Sequence, residues 1–189
     1  MLKNSNLLRK KDSLVLLVDF QEKLARVMPA REKTEDKILR LLKITGILKI
    51  PLIVTEQFPS GLGKTTSPLT EILKQDDRYH PFEKSYFSCF AEPGFSELLQ
   101  RYENRRQLVL VGIETHICVL QTAMEALEQN YDVFVVADAV CSRSENDSQL
   151  ALNRMGARGC AVVSYEMVAF EWLRLAGSPD FKAVHKLIV

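Results

Sequence analysis

Five short runs along the chain are apolar at almost every position and rich in β-branched residues: LVLLV (14–18), PLIVT (51–55), QLVLVG (107–112), DVFVV (132–136) and CAVVS (160–164). Continuous apolar runs suit strands buried on both faces, whereas a strand with one wet face alternates. FEKSYF (82–87) is a weaker, more polar candidate. Helical patterns fill the gaps. Thr34 is placed to cap one, with Glu35 and Asp36 in its first turn, and Ile38, Leu41, Leu42, Thr45 and Leu48 recur at helical spacing until Pro51. Ser67-Pro68 opens a short helix, and residues 93–103 and 117–129 read as two more. Ser142 and Glu145 have capping-box spacing before a helix ending near Gly156. Ser164 opens a helix to about Ala176, and Ser178-Pro179 a last one. Strands alternating with helices predict a mostly parallel sheet covered on both faces. The Gly-, Ser-, Thr- and Pro-rich segment 55–67 is longer than a plain connector needs, which marks it as a functional or a mobile loop.

Length and composition narrow the field. The 189 residues make one domain over 1–189, with 1–11 as an N-terminal tail, and no repeat or linker divides them. At 47% hydrophobic and 26% charged the chain is an ordinary globule, able to bury roughly 70% of its unfolded surface. A formal net charge of +1 gives no global field to attract nucleic acid or anionic lipid, and no apolar stretch is long enough for a membrane span. The four cysteines, Cys89, Cys118, Cys141 and Cys160, form no CxxC pair, which points to a reducing, cytoplasmic compartment. MLKNSNLLRKK is basic without a long apolar core and reads as a solvated tail, with organelle targeting as the alternative.

In an open α/β sheet, ligands sit beyond the carboxyl ends of the strands. Asp19 follows LVLLV, Glu56 and Gln57 follow PLIVT, and Lys84 lies in the weak strand. Cys118 follows QLVLVG, and Asp138, Ser142 and Arg143 follow DVFVV. A carboxylate at the end of a buried strand needs a partner; a helix cap or structural salt bridge would serve Asp19 as well as catalysis would. Cys118 precedes VLQTAMEALEQ, so it falls in the first turn of a helix, where free N–H groups and the dipole favour a thiolate and lower its pKa. The alternative is a small buried apolar residue, which is how Cys89, Cys141 and Cys160 read. Lys84 lies between aromatics, as a surface lysine with its stem on a ring also does. No HxH, HExxH or DxH spacing occurs among His80, His116 and His185, so no metal and no cofactor is expected, and His116 points away from Cys118.

LLVDFQ with Asp19, FEKSYFS with Lys84 and GIETHICVLQTA with Cys118, supported by DAVCSR (138–143), resemble the isochorismatase-like superfamily of cysteine hydrolases from about residue 12 to 176. Gly112 and Thr115 occupy that family's glycine and threonine positions ahead of the cysteine. The resemblance implies a three-layer α/β/α fold with a six-stranded parallel sheet in the order 3-2-1-4-5-6. It also implies an Asp19–Lys84–Cys118 triad and a cis peptide at Ile113–Glu114. The backbone N–H groups of Glu114 and Cys118 then form an oxyanion hole. TEQFPSGLGKT holds no histidine, unlike the zinc-binding region of the related nicotinamidases, and looks like the metal-free branch that includes the isochorismatase-domain-containing proteins.

The chemistry expected is attack by Cys118 sulfur on a small amide or carbamoyl-type carbonyl, with Asp19 as base and a thioester intermediate. Phe20, Phe58, Phe87, Ile113 and Ile117 are candidate substrate-binding residues, each equally suited to the core. A silent binding or scaffold protein and a redox-sensing thiol are the rival readings. The partners expected are a small-molecule substrate and further copies of the chain, because VAFEWLRLAG and AVHKLIV leave apolar surface to cover.

Overall fold

The computed structural model describes residues 7–188. Six strands form one sheet: β1 (Ser13–Val18), β2 (Leu52–Gln57), β3 (Phe82–Lys84), β4 (Gln107–Ile113), β5 (Asp132–Cys141) and β6 (Ala161–Val163). Their order is β3-β2-β1-β4-β5-β6 and every neighbouring pair is parallel, as the resemblance implied. The connections are α1 (Glu22–Ala25), α2 (Arg31–Leu48), α3 (Pro59–Leu62), α4 (Ser67–Gln75), α5 (Phe95–Gln100), a π-helical turn (Thr115–Val119), α6 (Leu120–Glu128), α7 (Glu145–Ala157), α8 (Tyr165–Leu173) and α9 (Pro179–Ile188). None of the described helices is long and apolar enough to cross a membrane.

The pleat sorts the apolar runs into two cores. Val15, Leu17, Val109 and Val111 pack with Ile38, Leu41 and Leu42 of α2 and Val168 and Trp172 of α8. Leu14, Leu16, Leu108 and Leu110 pack with Phe95 of α5, Ala123 and Ala126 of α6, and Met155 of α7. Because both faces are covered, every position of β1 and β4 is buried, which is why those runs carry no polar alternation.

The chain leaves β1 toward β2 and β3, then returns to β1's other side as β4. The carboxyl ends of β1 and β4 are therefore the reversal point. Gly112 stands there with φ +120°, and a Cβ at this position would lie 2.0 Å from the Val18 carbonyl oxygen. Only glycine allows the two strands to close up where the site begins.

Several boundaries differ from the sequence reading. The second helix starts at Arg31, so Thr34 is a buried interior residue and caps nothing. Ser144, not Ser142, caps α7, accepting from the Asp147 amide at 3.2 Å. Ser164 does cap α8, through the Met167 amide at 3.2 Å. β5 runs on to Cys141, which puts that thiol in a strand rather than a loop. Residues 1–6 of the expected tail lie outside the described residues. In the remainder Leu7, Lys10 and Lys11 are exposed, but Leu8 is buried, its amide donates to Glu171 Oε2 at 2.8 Å, and the Arg9 amide donates to Gln107 Oε1 at 2.8 Å. Much of VAFEWLRLAG also turns inward, with Val168, Ala169, Trp172 and Leu173 in the core and Phe170 partly exposed.

Candidate active site

Four adjacent strand ends deliver the site. Asp19 is the residue after β1, Thr55 and Gln57 belong to β2, Lys84 ends β3, and Cys118 lies in the turn after β4. The structure thus brings Asp19 and Lys84 together from positions 65 apart in the chain. The Lys84 Nζ lies 2.7 Å from Asp19 Oδ2, and neither side chain has any exposure.

Asp19 adopts a left-handed backbone (φ +48°), which Asp tolerates better than most residues. The bend turns its carboxylate across the end of the sheet. Oδ1 accepts from the Thr55 hydroxyl at 2.7 Å. Oδ2 takes no directional hydrogen bond and is held by the ammonium charge alone, leaving lone-pair capacity. Lys84 is more fully engaged: Nζ also lies 2.7 Å from Gln57 Oε1, 3.1 Å from the Tyr86 carbonyl and 3.0 Å from the Phe87 carbonyl. Four acceptors surround three N–H donors. Burial on its own would lower the ammonium pKa; the negative charges of Asp19 and of the Cys118 and Cys89 sulfurs when ionised outweigh it and raise it. Lys84 is therefore a fixed cation, not a proton shuttle, and the alternative of a surface lysine is ruled out.

Cys118 sits in the π-helical turn that precedes α6, not in a regular α-helical first turn. The Glu114 carbonyl accepts from the Ile117 amide (3.1 Å) and the Val119 amide (3.2 Å), passing over the amide of Cys118 between them. The thiol is 5% exposed. Its pKa is raised, first by burial and then by the charge of Asp19, which it also contacts; Lys84 only partly opposes this. The lowering expected from a helix terminus is thus overturned: desolvation and a carboxylate next to the sulfur outweigh the dipole. At rest the sulfur holds its proton.

The Ile113–Glu114 peptide is cis. The Glu114 side chain turns toward the next loop, where its Oε2 accepts from the Arg143 amide at 3.0 Å and from Arg143 Nε at 3.1 Å. Thr115 is buried, and its Oγ1 accepts from the Ser148 hydroxyl at 3.0 Å, tying the turn to α7. The His116 ring Nδ1 lies 2.9 Å from Ser142 Oγ, engaged away from the thiol.

The expected lining residues divide. Phe58 and Phe87 are more than half exposed, as is Tyr86 beside them. Ile117 is partly buried against the α6 side of the sheet. Phe20 and Ile113 have no exposure and belong to the core under α2: Ile113 follows the alternation of Val109 and Val111, whereas Phe20, beyond the end of β1, reaches that face past the left-handed bend at Asp19. They do not line the approach to the thiol.

Glu56 and Gln57, placed at a strand end by the sequence without a role, and Cys89 also contribute. Gln57 accepts from Lys84 because its own amide is fixed: Nε2 donates to the Ser85 carbonyl at 2.7 Å, and its backbone exchanges hydrogen bonds with Gln21 at 2.7 and 3.0 Å. Glu56 is buried and accepts at Oε1 from the Thr65 amide, the Thr65 hydroxyl and the Tyr79 hydroxyl, pinning the 58–66 loop to β2. Cys89, read as a plain small residue, is fully buried beside the same carboxylate and ammonium. Burial and the Asp19 charge push its pKa up to about 12. Its amide donates to the hydroxyl of Thr122, one helical turn beyond Cys118. The only sequence signal for these was the polar TEQ continuing a buried strand. Among the described residues no group of three or more His, Cys, Asp and Glu could hold a metal ion.

The isochorismatase domain matches residues 13–167 of the chain. Isochorismatase domain-containing protein 2 of Xenopus laevis is 37% identical over 182 residues, 96% of this chain and 86% of that protein. The structure of MAR1 ribonuclease from Caenorhabditis elegans superposes with a TM-score of 0.88 at 36% identity, covering 96% of this chain and 92% of that one. The YcaC gene product of Escherichia coli, an octameric hydrolase of unknown specificity, superposes with a TM-score of 0.88 at 26% identity, covering 98% of this chain and 91% of that one.

Proposed function

This chain belongs to the isochorismatase family, and from that premise we propose that it is a metal-independent cysteine hydrolase of small amide or carbamoyl-type compounds. The observation that carries the reading is the fully buried Asp19–Lys84 pair at 2.7 Å, with the Cys118 thiol against the same carboxylate. Burying two charges is costly unless their geometry is good, and a fold gains little stability from the pair itself. A carboxylate paired with a buried lysine and set against a thiol is, by contrast, a positioned general base.

In this reading the substrate carbonyl carbon meets Cys118 sulfur as Asp19 Oδ2 takes the thiol proton. Because the resting thiol resists ionisation, proton transfer and attack occur together. The new S–C bond leaves charge on the carbonyl oxygen, held by the backbone N–H groups of Glu114 and Cys118; each such donor is worth about 3–4 kcal/mol in related sites. Asp19 returns its proton to the departing nitrogen as the C–N bond breaks. Water, deprotonated by Asp19, then attacks the thioester and restores the thiol. Lys84, 2.7 Å from Asp19 Oδ2, offsets the negative charge as it moves from the carboxylate to sulfur and back. Phe58, Tyr86 and Phe87 would give the approach an apolar rim.

The ribonuclease name of one structural neighbour suggests a second substrate class. The site here favours the acyl substrate: Lys84 is sealed and saturated with acceptors, the Arg143 Nε is paired with Glu114, and His116 is turned away. The octamer formed by the Escherichia coli relative supports assembly of this chain into a homo-oligomer.

The test is a panel of small amides, carbamoyl compounds and a short single-stranded RNA, followed by product analysis and intact mass. Wild-type protein is expected to gain the mass of an acyl group, and Cys118→Ala to gain none and turn nothing over. Cleavage of RNA alone, or turnover unchanged in Cys118→Ala, would overturn the proposal.

A further inference from the structure

The opposite end of the sheet carries a cavity of about 970 Å³ that the triad does not use. It lies where strands begin, around Pro51 ahead of β2 and Arg105 ahead of β4. A six-residue strand such as β1 is about 20 Å long, so a molecule there cannot touch Asp19 or Cys118. Four cations line it, Lys43, Lys49, Arg78 and Arg105, against one acid, Asp76. Its apolar lining comes from Ile47, Ile50, Pro51, Ile72, Tyr102 and Leu187.

Two of the cations have structural work. Arg78 closes the end of α2: Nη1 donates to Thr45 Oγ1 at 3.0 Å and Nη2 to the Leu42 carbonyl at 3.3 Å, and Asp76 pairs with it at 2.8 Å. Gly46 makes room for it, since a Cβ there would stand 3.0 Å from Nη2. Arg105 donates to the carbonyls of Lys10 and Ser13 at 2.8 and 2.7 Å. The charge left over is what needs explaining. Asp76 is already spent on Arg78. Lys43 and Lys49 are exposed and enter no ion pair among the described residues. The Nε of Arg78 is buried and has no hydrogen-bond acceptor. That atom is closed off from the cavity, so the charge facing it is that of Lys43, Lys49 and the exposed edge of the Arg78 guanidinium, whose side chain is 19% exposed, and a carboxylate, sulfonate or phosphate oxygen complements that charge best.

We propose that this cavity is a second binding site, for a small organic anion with an apolar body: an acid, sulfonate or phosphate ester whose charged head meets Lys43, Lys49 and Arg78 and whose body lies on Ile47 and Ile72. A bare inorganic anion would leave the apolar lining wet, and a neutral hydrophobe would leave the lysines unpaired. The reading is independent of the chemistry assigned to Cys118.

The probe is 1-anilinonaphthalene-8-sulfonate, an anionic head on an apolar body, titrated by fluorescence, with uncharged N-phenyl-1-naphthylamine as its neutral counterpart. The expected result is saturable binding of one sulfonate per chain, at least 10-fold tighter than the neutral compound and weakened by salt. The double variant Lys43→Gln/Lys49→Gln, which removes charge without touching the core, should bind at least 10-fold more weakly. Ile47→Asp should do the same through loss of apolar contact. Unchanged circular dichroism and melting in these variants, as all three positions are exposed, keeps the comparison meaningful. Equal affinity for the neutral compound, full affinity in the double variant, or loss of binding in Phe58→Ala instead would overturn the proposal. So would a short single-stranded oligonucleotide that displaces the sulfonate at lower concentration than a simple naphthalene phosphate does.

Discussion

Lys84 and Asp19 pull the Cys118 thiol in opposite directions, and that opposition makes their roles separable residue by residue. Asp19 raises the thiol pKa and Lys84 lowers it. Asp19→Asn should therefore ease ionisation of Cys118 and speed its alkylation by iodoacetamide at a fixed pH near 8. If the carboxylate is the base, the same variant should lose at least about 100-fold in turnover. A more reactive thiol in a less active protein is the signature of a lost proton acceptor; slower alkylation in Asp19→Asn would contradict it. Lys84→Met should slow alkylation, because the remaining carboxylate repels the thiolate without compensation. It should also destabilise the fold by roughly 3–5 kcal/mol in urea, the cost of leaving one member of a buried pair uncompensated. A variant as stable as wild type would show that the buried pair is not needed to hold the end of the sheet together.

The elements around the triad show why some of the architecture could be read from the sequence and some could not. Buried parallel strands advertise themselves, because both faces demand apolar residues; LVLLV and QLVLVG became β1 and β4 nearly residue for residue. The short β3 has one buried residue of three, Lys84, and so carried almost no pattern. Helix starts were less legible, since Thr34 and Ser142 have the chemistry of caps but the chain satisfied its amides elsewhere. The π-helical turn at Thr115–Val119 escaped notice because a single turn of different winding leaves the spacing of apolar residues in α6 intact. The meeting of Asp19, Lys84 and Cys118 was legible as three motifs at strand ends. The roles of Gln57 and Cys89 were not, because they depend on contacts between remote segments. Gly112 is the element-scale test. Gly112→Ala would force a methyl group into the Val18 carbonyl and demand a positive φ of alanine, at a cost of roughly 3 kcal/mol or more. Equilibrium unfolding should show that loss, while Gly159→Ala, whose Cβ meets nothing within 4 Å, should show only the smaller cost of the backbone angle.

At the scale of the whole molecule, the four thiols give the fold a common pH dependence. All four are buried, and burial raises each of their pKa values: Cys89 to about 12, Cys160 to about 11, and Cys118 and Cys141 upward as well. Tyr79 moves the same way, to about 12, through burial and its bond to Glu56. In the unfolded chain the thiols return to their ordinary value near about 8.5. Above that pH the unfolded state releases protons that the folded state retains, so alkali favours unfolding. The stabilisation is complete below about pH 8 and is lost progressively as pH rises toward the folded-state values. At pH 10, Cys89 and Cys118 should each contribute a loss of about 1–2 kcal/mol relative to pH 8. Lys84 acts in the same sense, since its raised pKa favours the folded state only while the unfolded ammonium is still protonated. The urea midpoint should accordingly fall between pH 8 and pH 10, and the fall should shrink in a Cys89→Ala/Cys118→Ala variant, whatever that variant's stability at pH 8. A midpoint that stays level across this range, or falls equally in the variant, would mean that water reaches these sulfurs in the folded protein. The attack on substrate would then start from a thiolate rather than from a thiol that gives up its proton to Asp19.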